Sequence, residues 1–568
     1  MIMKKRLICF LFVFTLIIMS LSVVFVTASA EEYEPKETYE LEHHSSGSEY
    51  GLPDHCKDGN ILQCFNWTLS QIQEELPNIA KAGFTSVQTS PLQTHNGGST
   101  WYWLYQPKGF NLGNEIGSYD DLQSLCTEAD KYGVKIIVDV VSNHLAGSND
   151  GSWAGSIDND MKNTEYFHNK GPCEDFNNRY DLTHKNIGMP DLNSEHTYVQ
   201  KKVSAMIATL KAAGVDGIRW DAAKHISLPS ENCSFWSNVI DPEMYNYGEV
   251  LEGPAGNSAA SVNIALIKEY AQLLNVTDDT YSAKITAACK NGESDNSDGF
   301  WKTRGVSADC LVYWGESHDT YSNVDGWTKN LDQNIIDRAY AVLGARANAQ
   351  TLYFSRPSQK NYSGIYAGKK GSTHFTSKEV AAVNHFHNAM VGTQEVFFAG
   401  KGNYVVSREG GAVIVSASKS NVDISVRNTD SMVPEGIYTD EVSGYSFTVT
   451  KTTIKGHLGS SGIAVIYGEH EPLETTAPTS PATEKPETIA PTEVSGIILG
   501  DTDSDKVVSV IDATLIQKKL AFISFSSSFN ELAADADEDK VISVIDATQI
   551  QKFMAKLPSN PNIGKRIS

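Results

Sequence analysis

The sequence predicts an α/β protein built on a parallel (β/α)8 TIM barrel, with a doubly wound parallel sheet as the alternative. Three observations carry this reading. Short apolar runs alternate with helix-like segments from about Glu49 to about Met390. Segments such as "SYDDLQSLCTEADKYG" and "TYVQKKVSAMIATLKAAG" space their apolar residues as helices do when one face covers a sheet. Charged and amide side chains gather at the far ends of the apolar runs, where such a barrel carries its chemistry.

In chain order the strand-like runs are Ile61–Trp67, Gly83–Pro91, Lys135–Val141, Gly217–Ala223, Tyr245–Val250, Leu311–Asp319 and Gln350–Arg356. An eighth is expected somewhere after Gly253. The polar, Asn- and Gly-rich stretch 145–189 is expected to form a loop domain after the third strand, within a barrel domain spanning 49–391. Short alternating runs over 392–468 ("GNYVVSREGGAVIVSASK", "GIAVIYG") predict a small antiparallel β-sandwich. Residues 469–495 hold five of the nineteen prolines and six threonines, a composition that buries no core and predicts an extended linker.

The N-terminus has Lys4, Lys5 and Arg6, an apolar run to Val26 and the small-residue pattern Ala28-Ser29-Ala30, which predicts a cleaved signal peptide over 1–30 and an exported protein. An uncleaved anchor is the alternative. No later segment is apolar and long enough to span a bilayer, so no membrane insertion is expected after cleavage. A formal net charge of -23 argues against nucleic acid and anionic membranes as partners and suits a neutral ligand or a cation. Seven cysteines follow the leader, an odd set without CxxC spacing, which is neither a disulfide framework nor a zinc motif.

The C-terminal block contains a repeat. "DTDSDKVVSVIDATLIQKKL" (Asp501–Leu520) recurs as "DADEDKVISVIDATQIQKFM" (Asp535–Met554) with 14 of 20 positions identical. Each copy offers oxygen ligands at the spacing of a calcium loop. These are Asp501, Asp503, Asp505, the Val507 carbonyl, Ser509 and Asp512, then Asp535, Asp537, Asp539, the Val541 carbonyl, Ser543 and Asp546. Lys506 and Lys540 stand where the standard loop has Gly, and Asp512 and Asp546 where it has Glu. The pair closely resembles a dockerin module over 496–560. That resemblance implies a cohesin domain on a scaffold protein as partner, with recognition positions at Val510, Ile511, Gln517 and Lys518 and, in the second copy, Val544, Ile545, Gln551 and Lys552.

The stretch "GVDGIRWDAAKHI" poses the functional question, because burying Arg219 or Asp221 in an apolar strand costs several kcal/mol unless each is paired. Glu249 ends another run, and His318 and Asp319 a third, while Asn143 and His144 follow "DVV". Three carboxylates at different strand ends suit glycosidic bond cleavage, which needs a carboxylate nucleophile and a carboxylic acid about 5–5.5 Å apart in retaining enzymes. Arg219, two residues before Asp221 and so on the same side of the strand, is placed to hold Asp221 as the anion. The acid is then expected to have the raised pKa.

In this order "DVVSNH", "GIRWDAAKH", "GEV" and "ESHD" resemble the four signature regions of the α-amylase family, family 13 of the glycoside hydrolases, and "MPDLN" its fifth. "DAAKHI" and "ESHDTYSN" look most like its bacterial saccharifying-type members. The resemblance implies Asp221 as nucleophile, Glu249 as general acid/base and Asp319 as transition-state stabiliser. It implies sugar contacts from His144, His318, Arg219 and Lys224, stacking by Tyr105 with Gln106 on a hydroxyl, and an aromatic platform of Trp101 and Tyr102 further out. A structural calcium is implied on Asn143, Asp191, the His225 carbonyl and a carbonyl near Thr183, making one calcium site in the catalytic region and two in the dockerin. Ser317 and Tyr102 depart from the commoner Asn and Trp. The implied function is retaining endo-hydrolysis of α-1,4 bonds in starch and malto-oligosaccharides by a secreted enzyme held at the cell surface through a scaffold. A transglycosylase and a non-catalytic starch-binding subunit are the alternatives.

Overall fold

The computed structural model describes residues 47–251, 253–256, 259–473, 497–520 and 528–567. The expected signal peptide and most of the expected linker lie outside the described residues. The chain divides into two units, 1–475 and 476–568.

In the first unit eight parallel strands close a barrel in chain order. They are β1 (Ile61–Gln63), β2 (Ser86–Gln88), β3 (Lys135–Val141), β4 (Gly217–Asp221), β5 (Tyr245–Gly248), β6 (Asn275–Thr277), β7 (Leu311–Trp314) and β8 (Gln350–Phe354). Closure comes from β8 pairing back onto β1, with Leu352 opposite Ile61. The strand that the sequence pattern did not locate is β6. The first strand is also shorter than its apolar run, because the chain turns at Asn66, which takes a left-handed φ of 65°.

Both expected helices form, as Tyr119–Asp130 and Thr197–Ala212. Ser118 starts the first by accepting the Asp121 N–H while the Asp121 carboxylate accepts the Ser118 N–H, which satisfies two otherwise orphaned donors. Its Leu122, Leu125, Cys126 and Ala129 are buried on the sheet side, each Leu contributing about 1.5–3 kcal/mol. Between β3 and Thr197 the excursion is polar and held by isolated bridges, His144 to Asp191 and Phe167 to Leu192 among them, and by the short helix Arg179–His184.

After the barrel come β9 (Glu395–Gly400), β10 (Asn403–Arg408), β11 (Gly411–Ser416), β12 (Val422–Arg427), β13 (Gly436–Thr439), β14 (Ser446–Val449), β15 (Thr453–Leu458) and β16 (Ile463–Tyr467). They form two four-stranded sheets, β9-β10-β11-β16 and β12-β15-β14-β13. Val405, Ile414, Phe447, Ile454 and Ile466 fill the space between them, as the alternating pattern requires of a sandwich. The seven cysteines from Cys56 to Cys310 are unpaired.

In the second unit two acidic loops lead into helices Val510–Leu520 and Val544–Met554, which pack through Ala513, Ile516, Ala547 and Ile550. A short antiparallel pair, Ile497–Ile498 with Arg566–Ile567, joins its two ends. Lys506 and Lys540 adopt φ of 74° and 71°, so the two lysines take the left-handed turn that Gly makes in the standard loop. No helix among the described residues is long and apolar enough to cross a membrane.

Candidate active site

The charges at the end of β4 are paired, and they also wall a polar site. Arg219 is 4% exposed; its Nη1 donates to Asp221 Oδ1 at 2.7 Å and to Asp139 Oδ1 at 2.8 Å, and its Nη2 lies 2.9 Å from Glu249 Oε2. One guanidinium thus joins carboxylates from β3, β4 and the end of β5. Ala222, directly after Asp221, turns left-handed at φ 51° and aims its N–H at Glu249 Oε2, 2.9 Å away. Strained backbone of this kind is concentrated at functional sites. A cavity beside the cluster is lined by Arg219, Glu249, His318, Asp319 and Gln63.

The electrostatics reverse one expectation. Burial pushes Asp221 up to about 7, against the pull of Arg219 and with the charges of Glu249 and Asp139 adding to the rise. Glu249 is held below the ordinary carboxylate range: burial alone would raise it, but Arg219 and the Ala222 N–H outweigh burial. The arginine expected to serve Asp221 reaches Glu249 as well, so here the lower value belongs to the expected acid. Asp139 rises to about 6 and Asp319 to about 7, burial leading in both. Four carboxylates share one fixed cation, and the cluster retains protons that isolated carboxylates release near pH 4.

His318 is fixed on three sides. Gln63 Nε2 donates to its Nδ1 at 3.0 Å, so Nε2 carries the proton, 3.3 Å from Asp319 Oδ2. Its ring stacks on Tyr105 at 5.3 Å and on Phe65 at 5.2 Å, and burial pushes its pKa down to about 3, keeping it neutral. The Tyr105 hydroxyl donates to Asp139 Oδ2 at 3.0 Å. His144 Nε2 lies 3.0 Å from the Tyr105 carbonyl and must donate to it, which leaves buried Nδ1 as a bare acceptor. Lys224 Nζ donates to the Leu251 carbonyl at 2.9 Å across the end of β5. Ser317 accepts the Thr320 N–H and caps the helix His318–Ser322. Trp101 lies deeper than an outer platform: it is 5% exposed and packs edge-on against Tyr105 and His318. Tyr102 is half-buried and stacks on Tyr362 at 4.9 Å and 13°, and Gln106 is half-buried close by in sequence.

The four segments expected to hold calcium in this unit converge. Asp191 bridges to His144, Leu192 N bonds to the Asn143 carbonyl at 2.9 Å, and His225 Nδ1 donates to the carbonyl of Leu182, next to Thr183. Asn143, Thr183, Asp191 and His225 are all buried. Asp191 Oδ1 is buried with no hydrogen-bond partner, and burial pushes this carboxyl up to about 7 against the pull of His168. An uncompensated buried carboxylate oxygen beside amide and carbonyl oxygens is a donor set that fits a hard divalent cation.

In the second unit Asp501, Asp503 and Asp512 bring oxygens within 4.8 Å of one another, as do Asp535, Asp537 and Asp539. Asp505 Oδ1 accepts the Val507 N–H and Asp539 Oδ1 the Val541 N–H, both at 2.7 Å. Asp512 and Asp546 are fully buried and accept the N–H groups of Ser509 and Ser543, while Asp535 Oδ1 is buried without a partner. Burial, then the neighbouring carboxylates, raise Asp503 and Asp537 above their ordinary range. All-oxygen loops with unbalanced negative charge fit calcium.

Asp139, Gln63, Phe65 and Tyr362 belong to the site but not to the sequence-derived set. Asp139 left a signal, a lone acid inside the buried run "KIIVDVV".

Residues 52–282 match the family model described as Alpha amylase, catalytic domain, and residues 499–555 that of the Dockerin type I domain. The chain is 35% identical over 443 residues to an α-amylase of Clostridium acetobutylicum, covering 74% of this chain and 55% of that one. It is 29% identical over 505 residues to an α-amylase of Butyrivibrio fibrisolvens, covering 78% and 50%. It thus spans roughly half the length of each of these relatives. Among solved structures, α-amylase I of Eisenia fetida superposes with a TM-score of 0.59 at 19% identity, over 74% of this chain and 97% of that one. A cyclomaltodextrin glucanotransferase does so with 0.58 at 17%, over 72% and 98%, and at such identities these two show the fold alone. The chain carries an α-amylase-family catalytic domain on a TIM barrel, with a type I dockerin domain at its C-terminal end.

Proposed function

We propose that the chain is a retaining, endo-acting α-1,4-glucan hydrolase, exported and attached through its dockerin to a cohesin-bearing scaffold. The observation that carries the proposal is that Arg219 holds Asp221 and Glu249 together, while Glu249 and Asp319 line one cavity beside them. A guanidinium shared by two carboxylates keeps them close, which favours the short span of a retaining pair over the wider inverting one.

Asp221 attacks the anomeric carbon as Glu249 protonates the departing oxygen; the glycosyl–Asp221 ester forms and the glycosidic C–O bond breaks. Water, deprotonated by Glu249, then releases the sugar with its α configuration restored. To act as acid, Glu249 must take up a proton and loosen its contact with Arg219; a leaving oxygen seated against Glu249 competes for that contact. Arg219 keeps its bond to Asp221, and protonating Glu249 removes a charge that raises Asp221, so one proton uptake also favours the nucleophile's anion. The neutral His318 Nε2–H and the bare His144 Nδ1 offer a donor and an acceptor to sugar hydroxyls, and Asp319 stabilises the positive charge of the transition state. Calcium on Asn143, Asp191 and the carbonyls of Thr183 and His225 would tie the excursion to the barrel. Calcium on the two aspartate loops would order the dockerin, whose exposed Val510, Ile511, Val544 and Ile545 present an apolar surface to cohesin, flanked by Gln517, Lys518, Gln551 and Lys552.

Following the sugars released from amylose by proton NMR in the first minutes tests the reading. Short α-anomers with new reducing ends support it, and β-anomers overturn it. Transfer of the sugar to another glucan in place of water is the second reading, and it predicts longer or cyclic glucans without new reducing ends.

A further inference from the structure

The polar excursion holds a second cluster. His168, His184 and Glu195 bring donor atoms within 4.8 Å of one another. His168 Nε2 lies 2.7 Å from Glu195 Oε2, and His184 Nε2 3.8 Å from Glu195 Oε1. Each ring is oriented from its other side. His168 Nδ1 donates to Asp191 Oδ2 at 2.5 Å. His184 Nδ1 lies 2.8 Å from the Thr183 hydroxyl, whose own proton goes to the Arg179 carbonyl at 3.0 Å. Nδ1 of His184 therefore carries the ring hydrogen, and Nε2 turns a lone pair towards the glutamate. Tyr180 stacks on His184 at 4.3 Å, and the two rings of the histidine pair are 4.6 Å apart. The His168 side chain is 6% exposed, that of His184 25% and that of Glu195 32%, so the cluster is closed inwards and reachable from solvent.

We propose that His168 Nε2, His184 Nε2 and Glu195 form a site for a divalent transition metal of the zinc class, separate from the calcium set. Two imidazoles and a carboxylate, with water in the fourth position, are a ligand set that zinc takes. Tetrahedral bonds of about 2.0–2.2 Å put neighbouring donors roughly 3.3–3.6 Å apart, between the 2.7 and 3.8 Å found here. The Asp191 carboxylate behind His168 supplies the outer hydrogen bond that fixes a metal-bound imidazole. An ion pair accounts for His168 on Glu195, but not for His184, whose lone pair faces an oxygen that is also an acceptor; a cation between them resolves that conflict. Nitrogen donors favour a borderline metal over calcium. The ion replaces the His168 Nε2 proton, which leaves to solvent, and it cross-links three segments of the excursion. Asp191 would then serve two ions, through Oδ1 towards the calcium set and through Oδ2 by way of His168. The proposal is independent of the hydrolase reading.

The test is zinc titration by calorimetry, with cobalt absorption alongside, on the full chain in excess calcium. One equivalent should bind to the natural protein, and more weakly to His184→Gln and Glu195→Gln by at least the roughly 10–100-fold that losing an outer-shell partner costs, with circular dichroism checking that each variant is folded. Unchanged affinity and stoichiometry in both folded variants would overturn the site, as would displacement of the zinc by calcium. If a variant fails to fold, zinc-edge anomalous scattering from crystals of the natural protein decides. A peak between His168 and His184 supports the site, and its absence there overturns it.

Discussion

The barrel and the C-terminal unit each hold a crowd of aspartates and glutamates, and they balance the charge in opposite ways. In the barrel Asp139, Asp221 and Glu249 surround Arg219, a cation built into the chain and buried with them. In the C-terminal unit Asp501, Asp503 and Asp512 face one another with backbone N–H groups and, among the described residues, no basic side chain bonded to them. A covalently attached cation lets the first cluster keep its geometry whenever the chain is folded. The second depends on an ion from solution, so its order varies with the medium.

The largest effect sharpens the barrel side. Asp221→Asn keeps the shape and the hydrogen-bonding capacity but removes the proposed nucleophile, so turnover should fall by about 10⁴-fold or more while malto-oligosaccharide binding by calorimetry persists. Normal turnover in that variant would end the mechanism. Next, calcium chelation should erase the helical dichroism of an isolated 497–567 fragment and abolish its binding to cohesin. The Arg219 cluster should be untouched by the same treatment, and equal loss of structure in both regions would erase the contrast. A smaller effect concerns pH. The Asp139 charge raises Asp221, so Asp139→Asn lets Asp221 ionise at lower pH. The acidic limb of kcat/KM should therefore move down, and a move upward would show that Asp139 acts through something other than its charge. Smallest is Lys506→Gly. Relieving a left-handed lysine should favour the calcium-bound loop by about 1 kcal/mol, less the added freedom of the unfolded chain, read as a few-fold tighter calcium binding. Weaker binding would mean that the Lys506 side chain contributes more than its backbone strain removes.

The same contrast explains what the sequence made legible. The acidic loops were legible as units because their expected donors lie within twelve consecutive residues, and the structure brings three aspartates of each loop together. The barrel was legible as alternation, and Arg219, Asp221, Glu249 and Asp319 as charges where strands end. Asp139 escaped because its partner is 80 residues away and the intervening chain gives no hint of the contact. The hold of Arg219 on Glu249 was missed for a related reason: Arg219 meets Asp221 along its own strand but meets Glu249 only from the neighbouring strand β5. The His168, His184 and Glu195 cluster was invisible because irregular backbone imposes no spacing on its ligands.

At the end of β3, Asn143 and His144 are adjacent, one in the proposed calcium set and the other bonded to the carbonyl of Tyr105 in the proposed sugar site. A single peptide unit separates an anchoring point from a recognition point. Loss of the anchor should therefore blunt substrate recognition long before the barrel itself gives way. Inactivation and melting become two clocks: an activity half-life in chelator should run out while calorimetry still finds the barrel intact, and returning the ion should restart the first clock without refolding the protein.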